Sequence, residues 1–317
     1  MRRELAACIL IGWAGGVGAA DSVAPQTPAE SDDRDSVLVG GREALRGLTE
    51  RVATEVDSWF GDKPFREGGR VSGSIGFKAL FRQGDSPDTS VRFQAQVNLP
   101  NLNDKGYLFF GRDNERELVT DQPDTFSRRE LLLNERPRTE QTAFGGVGYR
   151  FLDLFDLRAG VRKAYKPYVQ ARYRKVFGLT AHDALDFRET LFWNTDDGVG
   201  STTALNFTHA YTPTLALRWQ NAGTISQDSD GTEWFSSLGL FKNLSEMRTV
   251  SFEGLVRGET AGPNDIKEYG VRLTWEQPVF RDWTFVQVSL GHFWPRGEAD
   301  SGRSRQWSMG LGVELRF

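Results

Sequence analysis

The chain closes with QWSMGLGVELRF, residues 306–317, and the order within that stretch sets the reading of everything before it. Trp307, Met309, Leu311, Val313, Leu315 and Phe317 alternate with Ser308, Gly310, Gly312, Glu314 and Arg316. Successive side chains of a strand point to opposite faces, so one face here is apolar throughout while the other is small or charged. A half-buried strand of a soluble protein alternates in the same way. The two cases separate on whether such strands tile the chain with no helices between them.

From about residue 71 onward they do. Period-two stretches predict strands at 71–82, 90–99, 104–112, 142–152, 155–164, 167–177, 184–195, 199–211, 214–224, 233–242, 247–259, 267–277, 283–294 and 304–317, each boundary good to about 2–4 residues. Short connections (Leu152 to Phe155, Thr212-Pro213, Asn243 to Met247, Pro278 to Asp282) alternate with longer polar ones such as NTDDGVG, SQDSDGTE and RGEADSGRS. Short turns at one end, long loops at the other and an even count predict an all-β fold: a transmembrane antiparallel up-and-down β-barrel of about fourteen strands, with twelve or sixteen as alternatives. The competing soluble sandwich or barrel requires bulky apolar interiors. Here the second face carries Arg, Gln, Asn, Ser and Gly instead.

The ending WSMGLGVELRF resembles the C-terminal strand by which bacterial outer-membrane β-barrels are recognised by their insertion machinery, with a final Phe317 and apolar residues at alternating positions before it. The resemblance is to an architecture, covering 71–317, and implies the outer membrane of a Gram-negative bacterium, with membrane lipid and lipopolysaccharide as neighbours. Aromatic rings gather at both edges of such a barrel's apolar band. Trp193, Trp234, Trp294 and Trp307 fall at loop ends, and Tyr211, Trp275 and Trp283 near turn ends.

The N-terminal part reads as three segments. Arg2 and Arg3 precede an apolar run from Leu5 to Val17 and small residues at 18–20, which predicts a signal peptide over 1–20. Cys8 would leave with it, so a mature chain would have neither disulfides nor cysteine chemistry. Residues 21–41 are polar, acidic and Pro-containing, a flexible linker. Over 42–66 the pattern turns helical, with Leu45, Leu48, Val52, Val56 and Trp59 on one stripe of a periplasmic amphipathic helix spanning 42–60. Such a helix must bury its stripe, as a cap on the turn side or as a plug or docking element. The barrel is assigned to 67–317.

Alternation directs Lys78, Arg82, Arg92, Arg150, Arg158, Arg162, Arg172, Arg174 and Arg188 into the lumen against a single inward acid, Asp186, over the first seven strands. In the second half Arg218, Arg257, Arg272 and Arg316 are balanced by Glu253, Glu259, Glu276 and Glu314. Charges of one sign on a confined wall enrich ions of the other sign, and guanidinium groups fork onto carboxylate or phosphate. The nine cations are therefore the candidate contacts for small anionic solutes. Glu189 breaks the scheme by facing outward among Phe187, Leu191 and Trp193. A bulge near this point, or a protonated or paired Glu189, would resolve it. The long connection from Asp113 to Gln141 contains Leu131, Leu132 and Leu133. Strands extended beyond the membrane account for it most simply, a constriction folded into the barrel or packing on a neighbour being the alternatives.

These features predict a porin-like channel with a basic lumen. The alternatives are a non-conducting scaffold barrel and a lipid-modifying hydrolase. Outer-membrane lipid hydrolases resemble one another in pairing a histidine with a nearby serine, and none of His182, His209 and His292 has a serine two residues on. Asp228, Asp230 and Glu233 flank Gly231 without the full ligand set of a calcium loop, which predicts an acidic turn. No catalytic, metal, cofactor or nucleic-acid site is expected.

Overall fold

The computed structural model describes residues 39, 42–44, 46–47, 49, 70–84, 86–100, 105–120, 141–163, 165–260, 266–280, 283–296 and 303–317. Fourteen strands follow in order: β1 (Arg70–Arg82), β2 (Asp88–Asn98), β3 (Gly106–Asn114), β4 (Gln141–Phe151), β5 (Phe155–Arg162), β6 (Lys166–Gly178), β7 (Asp183–Asn194), β8 (Gly198–Thr212), β9 (Leu215–Ser226), β10 (Glu233–Ser245), β11 (Arg248–Glu259), β12 (Ile266–Phe280), β13 (Thr284–Pro295) and β14 (Gln306–Arg316). One short helix, α1 (Glu115–Thr120), lies between β3 and β4. Each strand pairs with its sequence neighbours, and β1 pairs antiparallel with β14 to close the barrel. The fold is the one the alternation predicts.

Closure rests on the stretch that opened the sequence reading. Ser74 faces Arg316 and the register runs unbroken to Arg82 facing Ser308. Phe317 extends the seam: its N–H donates to Gly73 O and its carbonyl accepts from Gly73 N, both at 2.9 Å. Its ring stacks on Phe93 with centroids 6.5 Å apart. Gly73 makes room for this, because a Cβ there would lie 2.5 Å from Phe317 Cζ and 2.6 Å from Gln94 O.

The two faces are inverted relative to a soluble protein. Outward positions carry exposed Trp307 (62%), Val199 (61%) and Leu191 (56%), whereas inward Gln170, Thr190 and Glu253 are each 2% exposed or less. Apolar groups on the outside of a closed sheet and polar groups within are what a hydrocarbon surround requires.

Trp283 and the strands beside the long connection depart from expectation, and Glu189 takes one of its open alternatives. Trp283 is not a girdle residue: it lies in the β12–β13 turn, 8% exposed, with Phe280 edge-on and the Arg42 guanidinium 5.3 Å from its ring centroid. The strands flanking the long connection do not extend outward, since they end at the pair Asn114 and Gln141 and α1 turns into the barrel. Leu131 to Leu133 lie outside the described residues. Around Glu189 there is no bulge: β7 keeps unbroken register with β6 and β8, and Ser201 Oγ and Thr203 Oγ1 (2.6 Å) donate to its carboxylate. Of the predicted N-terminal helix, Arg42, Glu43, Ala44, Arg46, Gly47 and Thr49 are helical, and Arg42 Nε donates to Arg316 O at 3.3 Å. The rest of 42–60, the signal peptide over 1–20 and all of 21–41 except helical Val39 lie outside the described residues.

Gly73→Val places a branched side chain against Phe317 and should cost about 1–3 kcal/mol. A lowered urea midpoint for the folded barrel checks this. Gly254→Ala, whose new Cβ meets nothing nearer than Leu238 O at 3.9 Å, should leave the midpoint unchanged.

Candidate functional site

The register carries inward orientation around the whole wall, from Lys78 facing Ser90 and Gly312 to Arg174 facing Arg188. All nine cations predicted for the lumen are on its inner face. They are not gathered in one place, and they meet more acid than the single Asp186. Asp88, Asp113 and Asp156 also face inward, by register with Leu80, Thr142 and Arg172.

Asp113 and Asp156 hold arginines beside them. Asp113 accepts from Arg92 Nε at 2.8 Å and Gln94 Nε2 at 2.6 Å. Asp156 takes Arg158 Nε at 3.0 Å, Arg172 at 3.8 Å and the Tyr107 hydroxyl at 2.5 Å. Arg150 lies over the Tyr107 ring at 4.7 Å. Near the loop end Asp196 bridges Arg162 at 2.9 Å and Lys166 at 2.5 Å, and near the turn end Arg174 pairs with Asp186 at 2.7 Å. Each pair satisfies groups that would be expensive to leave alone in a confined interior.

Part of the inner wall from β3 to β8 is apolar, contrary to a uniformly polar lumen. Tyr107, Phe109, Phe144, Tyr168 and Phe192 point inward and enclose Val119 of α1, with Leu118 packed against them. Gln170 Nε2 donates to the carbonyls of Leu118 (2.8 Å) and Val119, holding the last turn of α1 to the wall. Glycines opposite the rings supply the space: a Cβ at Gly148 or Gly200 would overlap Tyr107 or Phe192, each glycine's register partner. Of the three treatments of the long connection, an inward fold holds for its first six residues.

Open volume remains on both sides: about 480 Å³ beside α1, lined by Leu118, Phe109, Phe144 and Arg158 among others, and a further space across the lumen. A cavity of about 710 Å³ is bounded by β1, β2 and the strands from β8 to β14. Lys78, Arg92, Arg218, Arg272 and Arg316 line it against Glu253, Glu276 and Glu314, five cations to three carboxylates. Arg272 and Glu253 form a pair at 2.7 Å within the wall, 4% and 2% exposed. Arg316 reaches Glu314 at 3.1 Å and Glu276 at 3.8 Å, and also covers Phe285 at 4.0 Å. Arg218 lies over Phe241 at 4.4 Å. Of the nine expected contacts only Lys78 and Arg92 line this space. Arg218, Arg272 and Arg316, read from sequence as part of a balanced wall, supply the rest of its positive charge.

The histidines stand apart from the lumen. His209 Nδ1 is 2.7 Å from Asp183 Oδ1, and Thr180 Oγ1 donates to Asp183 Oδ2 at 2.5 Å, which ties off the β6–β7 turn that contains His182. His292 packs between Trp294 and Trp307 at 4.3 and 4.2 Å on the outer face. Ser229 Oγ donates to Ser226 O at 2.8 Å, closing the turn that carries Asp228 and Asp230.

The solved structures to which this chain is similar are bacterial outer-membrane β-barrels. They include the channel DcaP of Acinetobacter baumannii (8% identity, 78% of this chain and 97% of that one, TM-score 0.45). A loop-deletion form of OmpT, an outer-membrane protein of Vibrio cholerae, matches at 13% identity over 78% and 99% of the two chains, TM-score 0.43. The KdgM porin matches at 10% over 77% and 99%, TM-score 0.38. No protein-family model and no curated protein matches the sequence.

Two outcomes follow from this geometry. Arg272→Ala strands the Glu253 carboxylate and should cost about 3–5 kcal/mol in urea unfolding, against a smaller loss for Arg272→Met combined with Glu253→Leu. Gln170→Leu removes the donor to α1, a loss of about 1–3 kcal/mol in its seating, so amide exchange at 115–120 should accelerate by about tenfold or more.

Proposed function

We propose that this chain is an outer-membrane channel that passes small anionic solutes by diffusion along the basic side of its lumen. The observation that carries the reading is the cavity of about 710 Å³ on the β8 to β14 side, where five cations face three carboxylates inside an apolar-coated barrel. Positive surplus in a narrow, low-dielectric space raises the local concentration of anions, and weak, repeated guanidinium contacts let them leave again. Lys78, Arg92, Arg218 and Arg316 are the contacts on this path. Arg82, Arg150, Arg158, Arg162, Arg172, Arg174 and Arg188 supply background potential and wall structure. The turn end and the N-terminal segment face the periplasm of a Gram-negative bacterium in this reading, with lipopolysaccharide around the loop end and the β14 strand to Phe317 offered to the insertion machinery.

A non-conducting scaffold barrel is the second reading, favoured by the space that α1 and its ring of aromatic side chains occupy. Purified protein in planar bilayers separates the two. The channel should give discrete steps with anions more permeant than cations. Lys78→Glu with Arg218→Glu turns five cations against three carboxylates into three against five, and should reverse that preference. Silence in the bilayer supports the scaffold, and conductance with unaltered selectivity removes the role given to these two residues.

A further inference from the structure

Glu189 belongs to a polar island on the outside of the barrel. Its carboxylate accepts from Ser201 Oγ and Thr203 Oγ1 on β8. Thr203 faces Gly223 across the β8–β9 ladder, and Asn221, one outward position further along β9, faces Ser236 on β10. All six residues share the outward parity of Leu191, Val199, Leu205, Ile225 and Leu238, which surround them and are exposed. On β7 the order from the loop end is Trp193, Leu191, Glu189, Phe187 and Leu185, so the carboxylate is well inside the apolar band.

Other outward charges on the described strands, Arg112 on β3 and Lys175 on β6 among them, stand towards the ends of their strands. Outward mid-strand residues are Ile75 and Phe77 on β1, Val147 on β4, Leu157 on β5, Phe252 on β11, Leu273 on β12, Leu290 on β13 and Leu311 on β14. A carboxylate, three hydroxyls and a carboxamide facing lipid chains are costly, and exposed polar groups inside a membrane are found where protein covers them.

We propose that a second copy of this chain covers the island, through a two-fold contact between the β7 to β10 faces. The patch complements itself. Glu189 offers further acceptor lone pairs beyond the two hydroxyls it already uses. The Asn221 side chain makes no hydrogen bond to any described residue and so has both amide N–H donors available, and Ser236, which accepts from Trp219 Nε1 at 3.1 Å, retains its own hydroxyl hydrogen. In a two-fold contact the same patch meets itself, so acceptors on the β7 side of one copy face donors on the β9 side of the other. Gly223 at the centre has no side chain to hold the two sheets apart.

The test uses the full chain in lipid nanodiscs, in a Cys8→Ser background because Cys8 is the sequence's single cysteine. Wild type should have the mass of two chains, and Glu189→Leu with Ser201→Val and Thr203→Val the mass of one. Gly223→Cys, which leaves the hydrogen-bonding groups intact, should give a thiol-crosslinked band of twice the chain mass, at least about tenfold stronger than Phe77→Cys on β1, on the far side of the barrel. A one-chain mass for wild type with equal crosslinking at both sites overturns the proposal, as does a crosslinked band of any other mass. Heat-modifiable mobility confirms that each variant is folded, and bilayer conductance reports separately on the channel.

Discussion

A strand in hydrocarbon has no water to satisfy its N–H and C=O groups, so a sheet that crosses a membrane must leave no edge. In this chain the edge is removed at one seam, between β1 and β14, where Phe317 and Gly73 exchange backbone hydrogen bonds beyond the last residues of the ladder. The inversion of the molecule follows from that closure. Once the sheet is continuous, alternate residues divide between lipid and lumen, and each strand must hold its parity or place a charge in the wrong phase. Among the described residues the ladders shift register in four places, between Asn243 and Ser245, Arg257 and Gly258, Pro278 and Phe280, and Ala210 and Thr212, all near strand ends. There a change of face exposes little of the membrane-facing band.

Inside, the same confinement that makes charge effective also makes it expensive. Arginines that are cheap to hydrate in bulk water lose that hydration against a packed wall, and the structure answers with carboxylates on the next strand or the same one: Asp113 for Arg92, Asp156 for Arg172 and for Arg158 on its own strand, Glu253 for Arg272, Glu268 for Arg257 at 3.1 Å. Much of the basic character counted along the sequence is therefore spent on holding the wall together. Open volume and a positive surplus coincide around Lys78, Arg92, Arg218 and Arg316, the last of them itself paired with Glu314 and Glu276. The other side is narrowed by rings seated over glycines and a short helix packed among them, beside a space of about 480 Å³.

Rules that hold around most of a barrel make their exceptions informative. Glu189 is the clearest, since the alternation that places Leu191 and Trp193 in lipid places it there as well. Two hydroxyls from the neighbouring strand account for how the carboxylate is held, while Asn221 and Ser236 extend the exception over four strands. Trp283 is an exception of another sort: its apolar ring is drawn out of the interface and under Arg42, joining the N-terminal helical residues to the turn end.

Strand number, closure class and the inward orientation of all nine predicted cations were legible in the sequence, because a period of two with one phase in lipid leaves a signal in every strand. The acids were not. Asp88 and Asp113 lie just beyond the predicted bounds of their strands, where a luminal carboxylate has the same local pattern as a loop carboxylate, and Asp156 is the second residue of β5, beside a turn. A six-residue helix is too short to show its period, and α1 is held by Gln170, some fifty residues away. Alternation within a strand determined which face each residue takes. Only the tertiary structure decided which of those residues meet across the lumen, because pairing and open volume depend on strands brought together by closure.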